Sequence, residues 1–372
     1  MDYQRTTGSN FIADSSVLTR MVRLAQSPKV MQLVRDLGLS TRGNCLDTIR
    51  DHAFKIVSTI IENSPVPVDC LETLRRVVAN KYRARLEVIS SDEDVHRIAE
   101  DYSDFHPHLK RRLSDEFLAG ATEGITLERD PYDAVAFRYL IVVDARGERA
   151  ARAHFTAWHE ITHLVVHPQQ LRFPGFRRTP LYVDIEKDPL ESVVDHVAGK
   201  LAFYKPLFGP VIQRLISGHE GLTFDTVEAA RIEAAPTASL FATAVGSLDY
   251  ASRPTLFVSV GLGLKKGERR LLRSPQQTFG FARVEAQEKL RLLYAIPNEV
   301  AAKSDLALRR NMRVPQDSVL SQAFASAIDV TLDANEDQGS WETSDEGALP
   351  PLDLKVQAIR RGRYVYGLIA SC

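Results

Sequence analysis

Leu46, Ile49, Ala53, Ile56, Val57 and Ile60 recur at helical spacing and predict an amphipathic helix. Pro65-Val66-Pro67 ends it, and Asp69 is placed to cap a second helix reaching about Asn80. A less regular stretch from Val17 to Leu37 also reads as helical. Strands are expected at Arg85 to Ile89, Gly124 to Glu128 and Ala136 to Val143, the last rich in β-forming residues. Gly147 punctuates this run. The period then turns helical from about Arg149 to His167, where Pro168 stops it. After a loop holding Pro174, Gly175 and Pro180, Asp188-Pro189 opens another helix, with Asp as cap and Pro in the first turn, running to about Tyr204.

Pro206, Gly209 and Pro210 mark an expected exit from this region, and Val211 to Leu248 reads as mainly helical. Thr255 to Val260, Lys289 to Ala295, Leu354 to Ile359 and Tyr364 to Ala370 read as strands. Arg360, Arg361 and Arg363 form a basic hairpin turn between the last two. The acidic stretch Asp333 to Pro351, with Gly, Ser and Pro, reads as a mobile loop. Strands ahead of a long helix give an α+β class.

A length of 372 residues suggests two or three domains. The formal charge of -1 speaks against a uniformly basic nucleic-acid binder, although a local patch stays open. Cys45, Cys70 and Cys372 are far apart and odd in number, which is no disulfide framework and suits a reducing cytoplasm. No signal-peptide core follows Met1 and no run approaches about 18 apolar residues, so a cytoplasmic protein without a membrane span is expected.

The chemistry concentrates in His159-Glu160-Ile161-Thr162-His163. Helix positions i and i+4 share a face, so both imidazoles can reach one ion, while Glu160 is offset and free to act on a water. The mostly apolar flanks Phe155-Thr156-Ala157-Trp158 and Leu164-Val165-Val166 would bury these polar groups, which favours a ligand over an incidental surface pattern. His167 cannot be the third ligand. It would stand about 12 Å from His159 along the axis at 1.5 Å per residue, so it reads as a helix-end or pocket residue. Glu191 and Asp195 share a face of the next helix: one carboxylate can ligate while the other takes the free N–H of a ligand histidine. Glu191 is the preferred ligand, with Glu186 and Asp188 as rivals. His196 lies off that face and is a possible pocket or structural residue.

Arg152 followed by His154-Phe155-Thr156-Ala157-Trp158-His159-Glu160-Ile161-Thr162-His163, with His167 beyond, resembles the ImmA/IrrE metallopeptidases. That family pairs an Arg-x-x-Phe-Thr-x-x-His-Glu-x-x-His helix with a Glu-x-x-Ala-x-x-Phe-Ala segment. Here Glu191, Val194, Val197 and Ala198 occupy the second pattern, and Thr162 stands where Gly is usual. The resemblance covers Leu46 to Tyr204 best. It implies a zincin-like core at 45–205 behind a partly helical extension at 1–44, a helix-turn-helix-like middle domain at 206–274 and a GAF-like sensor at 275–372. It further implies one zinc per chain on His159, His163 and Glu191, Glu160 as general base and Asp195 behind a ligand. The implied substrate is a helix-turn-helix repressor, cleaved under stress, DNA damage or phage attack. A non-catalytic zinc-containing regulator that acts by docking is the alternative. Lys265, Lys266, Arg269, Arg270 and Arg273 form the densest basic cluster, read as a solvated turn or a nucleic-acid contact that reports the signal; a small-molecule signal is equally open.

Overall fold

The computed structural model describes residues 24–41, 43–106, 108–118, 122–129, 137–166, 175–178, 188–218, 221–264, 288–343 and 347–372. His167, Glu186, the 265–273 basic cluster and the start of the expected first helix lie outside them. By their contacts, residues 21–215 with 227–246 form one compact unit, and 216–226 with 247–372 form a second.

In the first unit, α1 (Pro28–Asp36), α2 (Cys45–Glu62) and α3 (Leu71–Lys81) precede β1 (Ala84–Ile89). The Asn44 side chain caps α2 by accepting the Leu46 N–H at 2.9 Å. α3 is capped by Cys70 and not by Asp69: the Cys70 sulfur accepts from the Thr73 N–H at 3.5 Å, one position later than the sequence suggested. α4 (Asp92–Asp101) and α5 (Leu109–Leu113) follow, then β2 (Thr122–Glu128), β3 (Tyr139–Asp144), α6 (Ala150–Val166), the short β4 (Gly175–Arg178) and α7 (Pro189–Ala202). α8 (Lys205–Ser217) runs straight through Pro206, Gly209 and Pro210, so these residues do not end the core.

The four strands are ordered β1-β3-β2-β4. β1 runs parallel to β3, while β2 is antiparallel to both β3 and β4. Every β3 residue is buried, as a strand covered on both faces requires. Ile125, Leu127, Leu140 and Val142 point into a cluster with Val95 and Ile98 of α4 and Leu109 of α5. The alternate β2 positions, Gly124 and Thr126, face α6 instead. Gly147, with φ of +53°, permits the tight turn that sends the chain from β3 into α6.

The second unit is a five-stranded antiparallel sheet in the order β6-β5-β11-β10-β7, built from β5 (Thr255–Gly263), β6 (Lys289–Pro297), β7 (Thr331–Asp337), β10 (Asp353–Arg361) and β11 (Tyr364–Ser371). A small ladder pairs β8 (Glu342–Thr343) with β9 (Gly347–Ala348). Leu320 and Ala323 of α11 (Val319–Ala325) pack with Val258, Val356 and Ile369 over one face. The acidic stretch begins as a strand and not as a loop: β7 pairs along its whole length with β10. Its outward Asp333 and Asp337 are what an unpaired edge tolerates, which is why composition suggested disorder. The segment 206–274, expected as a middle domain, is divided between the units: α8 falls in the first except for its last residues, α9 (Phe224–Ala234) in the first except for its start, and α10 (Leu240–Ser247) in the first except for its end. β5 starts the C-terminal sheet well before residue 275. The class is α+β, as expected. No helix among the described residues is long and apolar enough to cross a membrane.

Candidate metal centre

α6 is buried almost all round from His154 to Val166, so its polar residues need partners inside the protein. His154 has them: Nε2 lies 3.3 Å from the Ala202 carbonyl oxygen and Nδ1 lies 2.9 Å from the Thr237 hydroxyl. A neutral ring that donates from Nε2 to the carbonyl and accepts at Nδ1 from the hydroxyl satisfies both. Burial pushes this imidazole down to about 4, against the raising effect of the Ala202 carbonyl.

One turn on, His159 is 1% and Glu160 0% exposed. The Asp188 side chain caps α7 by accepting the Leu190 N–H at 2.8 Å, with Pro189 at its start, as the sequence suggested. That start places Glu191 and Asp195 one turn apart against α6. His159 Nδ1 donates to Asp195 Oδ1 at 2.8 Å, which leaves the Nε2 lone pair pointing the other way. His163 Nε2 lies 3.2 Å from His159 Nε2, and the two rings are nearly perpendicular at 79°. Glu191 closes the group, with Oε2 at 3.2 Å from His159 Nε2 and Oε1 at 3.6 Å from His163 Nε2. Burial alone would raise the Glu191 carboxyl, but hydrogen bonding and attraction to His159 and His163 outweigh it and hold it well below the usual carboxylate range.

His159, His163 and Glu191 together could hold a metal ion, their donor atoms all lying within 4.8 Å of one another. Two imidazole nitrogens at 3.2 Å facing one carboxylate is a poor arrangement for bare lone pairs and a natural one around a cation. Asp195 stands behind His159, where the sequence placed it behind a ligand. His196 is half-buried on α7 and outside this group.

Glu160 points to the sheet side. Its Oε2 accepts a hydrogen bond from Thr126 Oγ1 at 2.7 Å, while the buried Oε1 has no hydrogen-bond partner among the described residues. An unsatisfied buried acceptor costs about 1–3 kcal/mol, so its persistence asks for a ligand or a function. Gly124 lies directly against it: a Cβ there would meet Thr156 Cγ2 at 2.6 Å and Glu160 Oε1 at 3.3 Å. The backbone register of β2 against β4 shifts between Thr122 and Gly124, and this irregularity lies beside the close approach. Behind it, Arg152 of α6 pairs with the buried Glu123 of β2. Thr126 and Gly124 were not read as site residues. Strand alternation puts both on one face, but nothing local says that the face meets Glu160.

No family model matches the chain, and no curated protein matches it at a significant level.

Proposed function

We propose that the chain is a zinc-dependent endopeptidase whose metal is held by His159, His163 and Glu191. The observation that carries this is the convergence of two imidazoles and a carboxylate from α6 and α7, beside a buried Glu160 with one oxygen free. The set fits zinc in chemistry and size. A tetrahedral ion with ligands at about 2.0–2.1 Å needs donors about 3.3–3.4 Å apart; the two imidazole nitrogens are 3.2 Å apart, and Glu191 approaches His159 through Oε2 at 3.2 Å and His163 through its other oxygen, Oε1, at 3.6 Å. Two neutral nitrogens suit zinc better than magnesium or calcium, which prefer all-oxygen shells.

When bound, zinc supplies a Lewis acid that polarises a carbonyl and makes a water more acidic. Glu160 Oε1 takes a proton from the attacking water as the water oxygen bonds to the scissile carbonyl carbon. It returns the proton to the amide nitrogen as the C–N bond breaks. Asp195 keeps His159 in the tautomer whose Nε2 can ligate. The resemblance to the ImmA/IrrE peptidases supports a helix-turn-helix repressor as the substrate and a sensor role for the C-terminal sheet.

The test is metal content and cleavage together. Wild type purified without added metal should carry about one zinc, and Glu191→Ala should lose most of it. Glu160→Gln should keep the zinc and lose cleavage of a repressor encoded by the same genome. Wild-type protein free of zinc, or a Glu160→Gln variant that cleaves normally, would end this reading; a variant that relieves repression without cleaving would favour the docking regulator.

A further inference from the structure

We propose that Thr126 is a positioning residue that ties down Glu160 Oε2 and so selects Oε1 as the proton acceptor. The proposal rests on the peptidase reading and adds to it the part of the sheet that sets the base.

A glutamate side chain has three rotatable bonds, and its two oxygens interchange by a half-turn of the last one. A general base has to present one oxygen at a fixed place, since small misplacements of reacting groups are costly in rate. The bond from Thr126 Oγ1 to Oε2, 2.7 Å long and buried at both ends, removes that freedom. Because a hydroxyl shares its proton with one acceptor at a time, the bond also makes the two oxygens unequal. Oε2 is engaged, and Oε1 keeps its lone pairs for a donor from outside the protein.

Gly124 makes the clamp possible. It is two residues before Thr126 on the same face, and the missing Cβ lets β2 approach the Thr156 methyl and the Glu160 carboxylate. Any larger residue would push α6 away and lengthen the Thr126 bond. Thr126 is 2% exposed and sits among packed groups, so its own rotamer has little room to change. The sheet therefore fixes the base from one side, while α7 fixes the ligand His159 from the other through Asp195.

The test uses the full chain loaded with Co2+, whose visible absorption reports the ligand set, and acetohydroxamate as the probe. A hydroxamate ligates the metal through its two oxygens and donates its hydroxyl proton towards a neighbouring carboxylate. Thr126→Val keeps the side-chain shape and removes the donor; Thr126→Ser keeps the donor and loses a methyl. The free-site cobalt spectrum should be unchanged in both. Thr126→Val should weaken acetohydroxamate about tenfold, Thr126→Ser should restore wild-type affinity, and Thr126→Val in a Glu160→Gln background should add no further loss. Unchanged affinity in Thr126→Val, a loss shared equally by Thr126→Ser, or full additivity with Glu160→Gln would overturn the proposal. Failure of the peptidase reading looks different: wild type without a cobalt spectrum, or Glu160→Gln binding the hydroxamate as tightly as wild type, removes that reading and this proposal with it.

Discussion

His154 and Glu160 lie six positions apart on one helix, and both are polar groups buried by their surroundings, but they answer different demands. Both nitrogens of His154 are engaged with α7 and with Thr237, so it serves stability. Its pH signature follows. The folded-state value of about 4 lies below the ordinary 6.5, so the unfolded chain binds the proton more readily. Stability from this residue is fully present above pH 6.5, falls as pH drops through the window from 6.5 to about 4, and then levels off. The loss across that window is about 3 kcal/mol. Urea midpoints measured from pH 7 to 4 should show it, and His154→Gln should flatten that part of the profile; a variant with the wild-type slope would assign the loss to other groups. Glu160, by contrast, keeps a buried oxygen without a hydrogen-bond partner among the described residues, a cost that packing alone gives no reason to retain.

At the scale of elements, the site is made by β2, α6 and α7, and the spacing between β2 and α6 is set by Gly124. Gly124→Ala should overpack this contact and destabilise the protein by about 1–3 kcal/mol in chemical denaturation, because the Cβ would stand 2.6 Å from Thr156 Cγ2. A variant as stable as wild type would show that the strand can move out of the way at no cost. Much of this layer is legible from periodicity. α2, α6 and α7 run close to their expected limits, since each combines an apolar stripe with a clear stop or cap. α4 is not legible, because only Val95, Ile98 and Ala99 are buried in a run otherwise charged or polar. β7 is misread for the related reason that an edge strand can alternate weak apolar residues with acids and still pair fully with β10.

At the scale of the whole molecule, the metal-capable residues and their supports all belong to the unit of residues 21–215 and 227–246, while the five-stranded sheet has its own buried cluster. A metal that binds only the folded site stabilises that site by mass action. Adding zinc to metal-free protein should therefore slow hydrogen exchange in α6 and α7 and leave the β10–β11 hairpin unchanged. Equal slowing in both would mean that the two units open together. The division of the chain itself was hidden from the sequence: the α8 to α10 stretch looks like one helical block, yet residues 216–226 and 227–246 group with different units.

Local chemistry by itself determined the shared face of His159 and His163 with Glu160 offset from it, the pairing of Glu191 with Asp195 one helical turn apart, and four of the five strands of the C-terminal sheet, β7 excepted. These follow from the fixed periods of 3.6 and 2 residues, which operate over a few positions. Tertiary structure alone decided that Glu191 stands within 3.2 Å of His159 and that Asp195 meets the same ring from its other nitrogen. It alone brought Thr126, 34 residues away in the chain, onto Glu160. Contacts between distant segments depend on how faces pack, and no spacing within one segment encodes the residue it will meet.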